Sequence, residues 1–147
     1  MGEWRSTYFS DDEQGVAEFD GDDFPYGLHH DYAENLATLS VTGATPVSYL
    51  LLTTGQIPAG NYKICWSGLW STSAQNGSAI IDVEVDGTLI WESEDNGSRS
   101  GRKTFSGFAV VNLPDDADTH TIEILLGQIG PGNSSIFQGN ISLERWD

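Results

Sequence analysis

Residues 80–95, IIDVEVDGTLIWESED, alternate apolar and acidic side chains around a central Asp86-Gly87. That pattern marks a β-hairpin, and its register decides which way each carboxylate points. A two-residue type I′ loop at Asp86-Gly87 pairs Val85 with Thr88, Val83 with Ile90 and Asp82 with Trp91. Opposed residues share a face, so that register mixes apolar and acidic groups on both sides. A three-residue loop, Val85 to Gly87 with Gly87 at a left-handed bulge position, pairs Glu84 with Thr88, Val83 with Leu89 and Ile81 with Trp91. One face then holds Ile81, Val83, Leu89 and Trp91. The other holds Asp82, Glu84, Thr88 and Glu92, with Ile80 and Ile90. A one-residue slip would bury the acids, so the pattern selects the second register and sends the carboxylates to water. On this reading the stretch is the wall of a sandwich rather than a constellation that does chemistry.

Working outward, short strand-like runs recur at Ala37–Val41, Ser48–Thr54, Gly60–Ser71, Ser78–Val85, Thr88–Glu94, Lys103–Leu113, His120–Leu126 and Phe137–Arg145. Turn signals separate them: TGATP, GQIPAG, SAQNG, DNGSRSG, LPDDAD and GPGNSS. Tyr62, Ile64 and Trp66 share a face, as do Phe108 and Val110; Ile122, Ile124 and Leu126; and Ile141 and Leu143. SYLLLTT is apolar at consecutive positions, as in a strand covered on both sides. With 147 residues, seventeen glycines and no long 3.6-residue period, the chain reads as one all-β domain. The fold expected is an antiparallel jelly-roll or β-sandwich of about eight strands over residues 37–147.

Residues 1–36 differ in composition. They hold ten carboxylates (Glu3, Asp11, Asp12, Glu13, Glu18, Asp20, Asp22, Asp23, Asp31, Glu34) against one base, Arg5, and seven of the sixteen aromatics. Disordered segments are poor in aromatics, so this reads as an extended acidic arm that docks on its own sandwich or on a neighbour. Its aromatics Trp4, Tyr8, Phe9, Phe24 and Tyr26 are candidate binding residues.

Net charge is −16, from 22 carboxylates and 6 bases. Nucleic acid is disfavoured as a partner, because affinity there rests on neutralising phosphates. No stretch reaches 18 apolar residues, so no membrane span is expected, and MGEWRSTYFSDDEQG carries no secretory signal pattern. Arg99, Arg102 and Lys103, three of the six bases, gather in SRSGRK. They either neutralise Glu92, Glu94 and Asp95 just upstream or receive a neighbour's acidic arm.

Sites for chemistry find little support. His29 and His30 are adjacent and point apart in an extended chain, so no metal site is expected from them. His120 opens a strand after an acidic turn, where a solvated residue is the default. EFDGDDF lacks the EF-hand pattern; its default reading is a solvated acidic arm, with a non-EF calcium loop as the sharper one. Glycoside hydrolysis needs paired acids about 5–10 Å apart in a cleft; Trp66, Trp70 and Trp91 could line one, but their periodicity reads as that of core or sheet-rim residues. Cys65 has no disulfide partner and reads as a buried small hydrophobe. No cofactor, metal or enzymatic role is expected.

The order of IPAGNYKICWSGLWSTS, IDVEVDGTLIWESED, RKTFSGFAVVNL, DTHTIEILLGQ and ISLERW is similar to small virion proteins of tailed bacteriophages, over about residues 45–147. Such proteins serve as head decoration (cement) proteins or as tail-fibre head domains. The resemblance implies a jelly roll, frequently a homotrimer, with a binding rather than catalytic role, and transfers no site residues. Because only a short arm precedes the sandwich, decoration is the expected role: attachment to the major capsid protein on the virion surface. VEVDGTLIWES followed by HTIEILL also resembles carbohydrate-binding modules of glycoside hydrolases. That alternative expects exposed tryptophans on one face, Trp70 foremost.

Overall fold

The computed structural model describes residues 30–73, 77–95, 101–114 and 118–146. Nine strands form there: β1 (Asp31–Asn35), β2 (Leu39–Val41), β3 (Val47–Thr53), β4 (Gly60–Thr72), β5 (Ser78–Val85), β6 (Thr88–Asp95), β7 (Lys103–Leu113), β8 (Thr121–Ile129) and β9 (Ser134–Arg145). Asp86 and Gly87 join β5 to β6 with φ of 50° and 80°. Two consecutive positive φ values make the two-residue type I′ turn, and Asp and Gly are residues that tolerate them.

From that turn the chain pairs backward and forward like a folded ribbon. β5 pairs with β6, β4 with β7, β3 with β8, and β2 with β9, all antiparallel. Rolling the ribbon adds three further ladders, β5 to β8, β4 to β9 and β1 to β9. The result is a five-stranded sheet, β1-β9-β4-β7 with β2 also on β9, packed on a four-stranded sheet, β3-β8-β5-β6. This is the jelly-roll sandwich, and residues 80–95 are its folded tip.

The hairpin register differs from the expected three-residue loop. Val85 pairs with Thr88 and Glu84 with Leu89; a bulge then takes up Ile90, and Val83 faces Trp91. The extra residue switches the face of β6 partway along. Ile81, Val83 and Trp91 point inward as expected, but Leu89 turns out to solvent. Two other irregularities act likewise. In β3 the register shifts between Ser48 and Leu50, so Tyr49 and Leu50 are both buried while Leu51 is exposed. SYLLLTT is therefore a bulged edge strand, not one covered on both sides. In β9 a shift at Phe137 keeps Ile136 and Ile141 both in the core.

The core lies between the sheets and centres on Tyr62, Ile64, Ile81, Val83, Ile122, Ile124, Leu126, Ile136, Ile141 and Leu143, all fully buried. Two aromatic rings use glycines on the facing strands. A Cβ at Gly107 would run into the Trp66 indole, and one at Gly68 into the Phe105 ring. The segment around β1 was not apparent as a strand, since only Ala33 of Asp31–Asn35 packs toward the core. Cross-layer bonds pin it. Asn35 donates to the Tyr49 carbonyl at 2.9 Å, and the Tyr49 hydroxyl reaches the carbonyls of Asn35 and Ala37, each at 2.8 Å.

His120 is buried, not solvated. Its Nδ1 lies 2.7 Å from Asp86 Oδ2, and Asp86 Oδ1 accepts the Thr121 N–H at 2.8 Å. Burial works against the Asp86 charge, but the His120 bond and the Thr121 N–H hold its carboxyl below the ordinary range. This clasp ties the ribbon's tip to the start of β8.

Candidate functional site

The two outer faces of the sandwich differ in kind. On the five-stranded sheet, register aligns Phe108, Cys65, Ser142 and Tyr32 in one row, and Val110, Lys63 and Glu144 in the next. Phe108 is 67% exposed and Tyr32 53%; Val110 and Trp146 are also exposed. Lys63 Nζ sits 5.2 Å from the ring centroids of both Phe108 and Trp146, so its charge is spread over aromatic faces. Cys65 is half-buried on this outer face, not a core residue. A third row, Ser106, Ser67, Asn140 and Glu34, lines a shallow trough of about 280 Å³ rimmed by Tyr32 and Leu36. There the Tyr32 hydroxyl donates to Glu34 at 2.6 Å.

The outer face of the four-stranded sheet is acidic. A diagonal of carboxylates runs from Glu94 and Glu92 on β6, through Asp82 and Glu84 on β5, to Glu123 on β8. Glu84 lies directly opposite Glu123, and Asp82 directly opposite Glu92. The strands of this sheet contain no Lys, Arg or His. Asp82 is only 9% exposed, and its Oδ1 makes no hydrogen bond. Burial, with Glu92 and Glu84 close by, pushes its carboxyl up to about 6. The expectation that these acids all face water fails at Asp82: β5 is an interior strand, so β6 and β8 wall its outward side chain, whereas Glu92 on the edge is exposed.

At the edge where β6 and β7 part, a cleft of about 440 Å³ opens between the sheets over Trp70, Trp91 and Phe105. Trp91 packs on both Trp66 and Phe105, with centroids 5.5 and 6.4 Å apart. Lys103 bridges the rim to Asp95 at 2.5 Å. Trp66 and Trp70 are buried core residues, which removes Trp70 as an exposed sugar platform.

Of the binding residues expected from sequence, Lys103 is engaged with Asp95, local neutralisation of the kind weighed above. Arg102 lays its guanidinium over the Phe137 ring, Cζ to centroid 4.0 Å. Trp4, Tyr8, Phe9, Phe24, Tyr26 and Arg99 lie outside the described residues, as do His29 and the EFDGDDF run. The exposed aromatics Tyr32, Phe108 and Trp146 were not singled out, because a strand's alternation does not say which face is inside. Among the described residues, no group of three or more His, Cys, Asp or Glu is placed to hold a metal, and no helix is long and apolar enough to cross a membrane.

No family model matches the sequence, and no curated protein does. Among solved structures, the chain is similar to a chain of the infectious bursal disease virus Gx strain, with TM-score 0.54 and 14% identity over 95% of this chain and 36% of that one. It is also similar to dimeric latent PorU from Porphyromonas gingivalis, with TM-score 0.50 and 8% identity over 83% of this chain and 13% of that one. A xylanase CBM36-1 domain from the hindgut metagenome of Trinervitermes trinervoides gives TM-score 0.33 at 13% identity, over 71% of this chain and 95% of that domain. The chain thus spans well under half the length of the viral and PorU chains, and the likeness to those two establishes the sandwich fold alone.

Proposed function

We propose that this chain is a non-enzymatic virion protein of a tailed bacteriophage, a head decoration (cement) protein that binds the assembled shell as a homotrimer. The observation that carries the reading is the outer face of the five-stranded sheet, where Phe108, Val110 and Trp146 stand exposed beside Lys63 and Tyr32 stands exposed on the same face. Exposed aromatic and aliphatic groups gathered on one face mark an interaction surface. The jelly-roll topology and the acidic, aromatic N-terminal segment support the same reading. The mechanism is linkage: a protein that binds only the assembled shell stabilises that shell, with the major capsid protein as partner.

Light scattering should give a mass near three times 16.0 kDa. Co-sedimentation should capture the protein on assembled head shells and not on free coat subunits. Phe108→Ser should weaken capture at least tenfold while moving stability by no more than about 0.5 kcal/mol, as for an exposed position. Equal binding to free coat subunits, or full capture by the variant, would sink the reading.

A second reading rests on the trough. Its hydroxyl and amide lining, with the Glu34 carboxylate and an aromatic rim, suits a saccharide, as on a receptor-reading tail-fibre tip. A glycan array hit lost in Tyr32→Ala would favour it over decoration.

A further inference from the structure

The acidic diagonal on the four-stranded sheet is costly as it stands. Like charges directly opposite each other across strands destabilise a sheet, and this face carries two such pairs on adjacent ladders, Asp82 with Glu92 and Glu84 with Glu123. Neither pair has a base on any strand of its sheet. The described bases Lys63, Lys103 and Arg145 lie on strands of the other sheet, and Arg102 immediately precedes one. At the centre of the diagonal Asp82 is nine-tenths buried with one carboxylate oxygen unpartnered. A desolvated acceptor of this kind destabilises the fold unless a donor completes it.

We propose that this face, centred on Asp82 and Glu92, binds an extended basic segment of a partner protein, with an Arg or Lys side chain seated between those two carboxylates. A guanidinium can donate to both members of a carboxylate pair at once. The second pair lies two residues along β5, about 6.7 Å away. A second cation two residues on in an extended segment reaches it, so the matching partner carries Arg or Lys at alternate positions. Leu51 and Leu89, exposed beside Glu123 and Glu84, offer apolar contact for the residues between. A divalent ion is the weaker occupant, since no three described carboxylates converge on a point. This inference concerns the face opposite the proposed shell-binding one and stands or falls apart from the decoration reading.

The test is calorimetric titration of the full chain with a hexa-arginine peptide at low salt and pH 6, in two buffers of different ionisation enthalpy. Binding should release a proton, because a cation seated against Asp82 displaces the one its carboxyl holds near pH 6. The double variant Asp82→Asn/Glu92→Gln should bind at least tenfold more weakly and release no proton. Asp31→Asn/Glu144→Gln, which removes the same charge from the other sheet, should bind within twofold of the parent. Both double variants remove negative charge without removing core groups, and circular dichroism will show them folded. Equal loss in the two variants, absence of proton release, or tighter binding of calcium alone than of the peptide would overturn the proposal.

Discussion

The two sheets share one core but face solvent in opposite ways. The five-stranded sheet shows aromatic and hydroxyl groups on its outer face, with the Lys63 charge set over the rings of Phe108 and Trp146. The four-stranded sheet shows a band of carboxylates with no base on its strands. The contrast teaches that charge is not evenly spread over the two faces of this sandwich. One face can meet an apolar partner with little electrostatic cost, while the other repels copies of itself and favours cations.

The largest effect should come from breaking what the two faces share. Ile124→Ala opens a cavity under both sheets and should cost about 2–5 kcal/mol in urea unfolding; a loss below 1 kcal/mol would mean that the layers are not packed as described. The acidic face is sharpened by Asp82→Asn. The Asp82 carboxyl titrates at about 6 in the fold and near 3.8 unfolded. Its stabilising protonation is fully present below about pH 3.8 and is lost as pH rises through 6. The variant should therefore be the more stable protein at pH 7, by up to about 3 kcal/mol at 1.36 kcal/mol per unit, and the gap should close as pH falls to 4. A gap independent of pH would show that Asp82 carries no such cost.

Asp86→Asn probes a carboxylate of opposite behaviour a few residues away. Asp86 is held below its ordinary range by His120 and Thr121, so its contribution is present above the unfolded value and is lost as pH falls. The variant should lose about 1 kcal/mol at pH 7 and progressively less toward pH 3. The two variants thus have opposite signs at neutral pH, and thermal melts across pH separate them.

Much of this was legible from the residues. Turn chemistry and alternation located eight of the strands to within a few residues, because β-branched runs bounded by Gly, Pro and Asn leave few other placements. What escaped has a common physical cause. The bulges at Ile90 and in β3 contain no glycine and no other sequence mark, so alternation places Leu89 on the inward face and SYLLLTT reads as covered on both sides. Alternation groups Asp82 with Glu84 and Glu92, but whether a side chain is walled depends on its strand having neighbours on both sides, which is a fact of topology. His120 lies buried because Asp86, 34 residues earlier, reaches it across the roll. The exposed face of Tyr32, Phe108 and Trp146 assembles from β1, β7 and the residue that follows β9, segments remote in sequence.

The ribbon arrangement also sets a schedule for biosynthesis. β9 lies between β1 and β4 in the middle of the five-stranded sheet, so that sheet cannot close until Arg145 has left the ribosome. β8 is likewise interior to the other sheet. Among the described residues, only β5 and β6 pair with a neighbour next in sequence, so 80–95 is the one hairpin there that can close locally before then. Such late, long-range closure makes folding slow and exposes unfinished strand edges while it lasts.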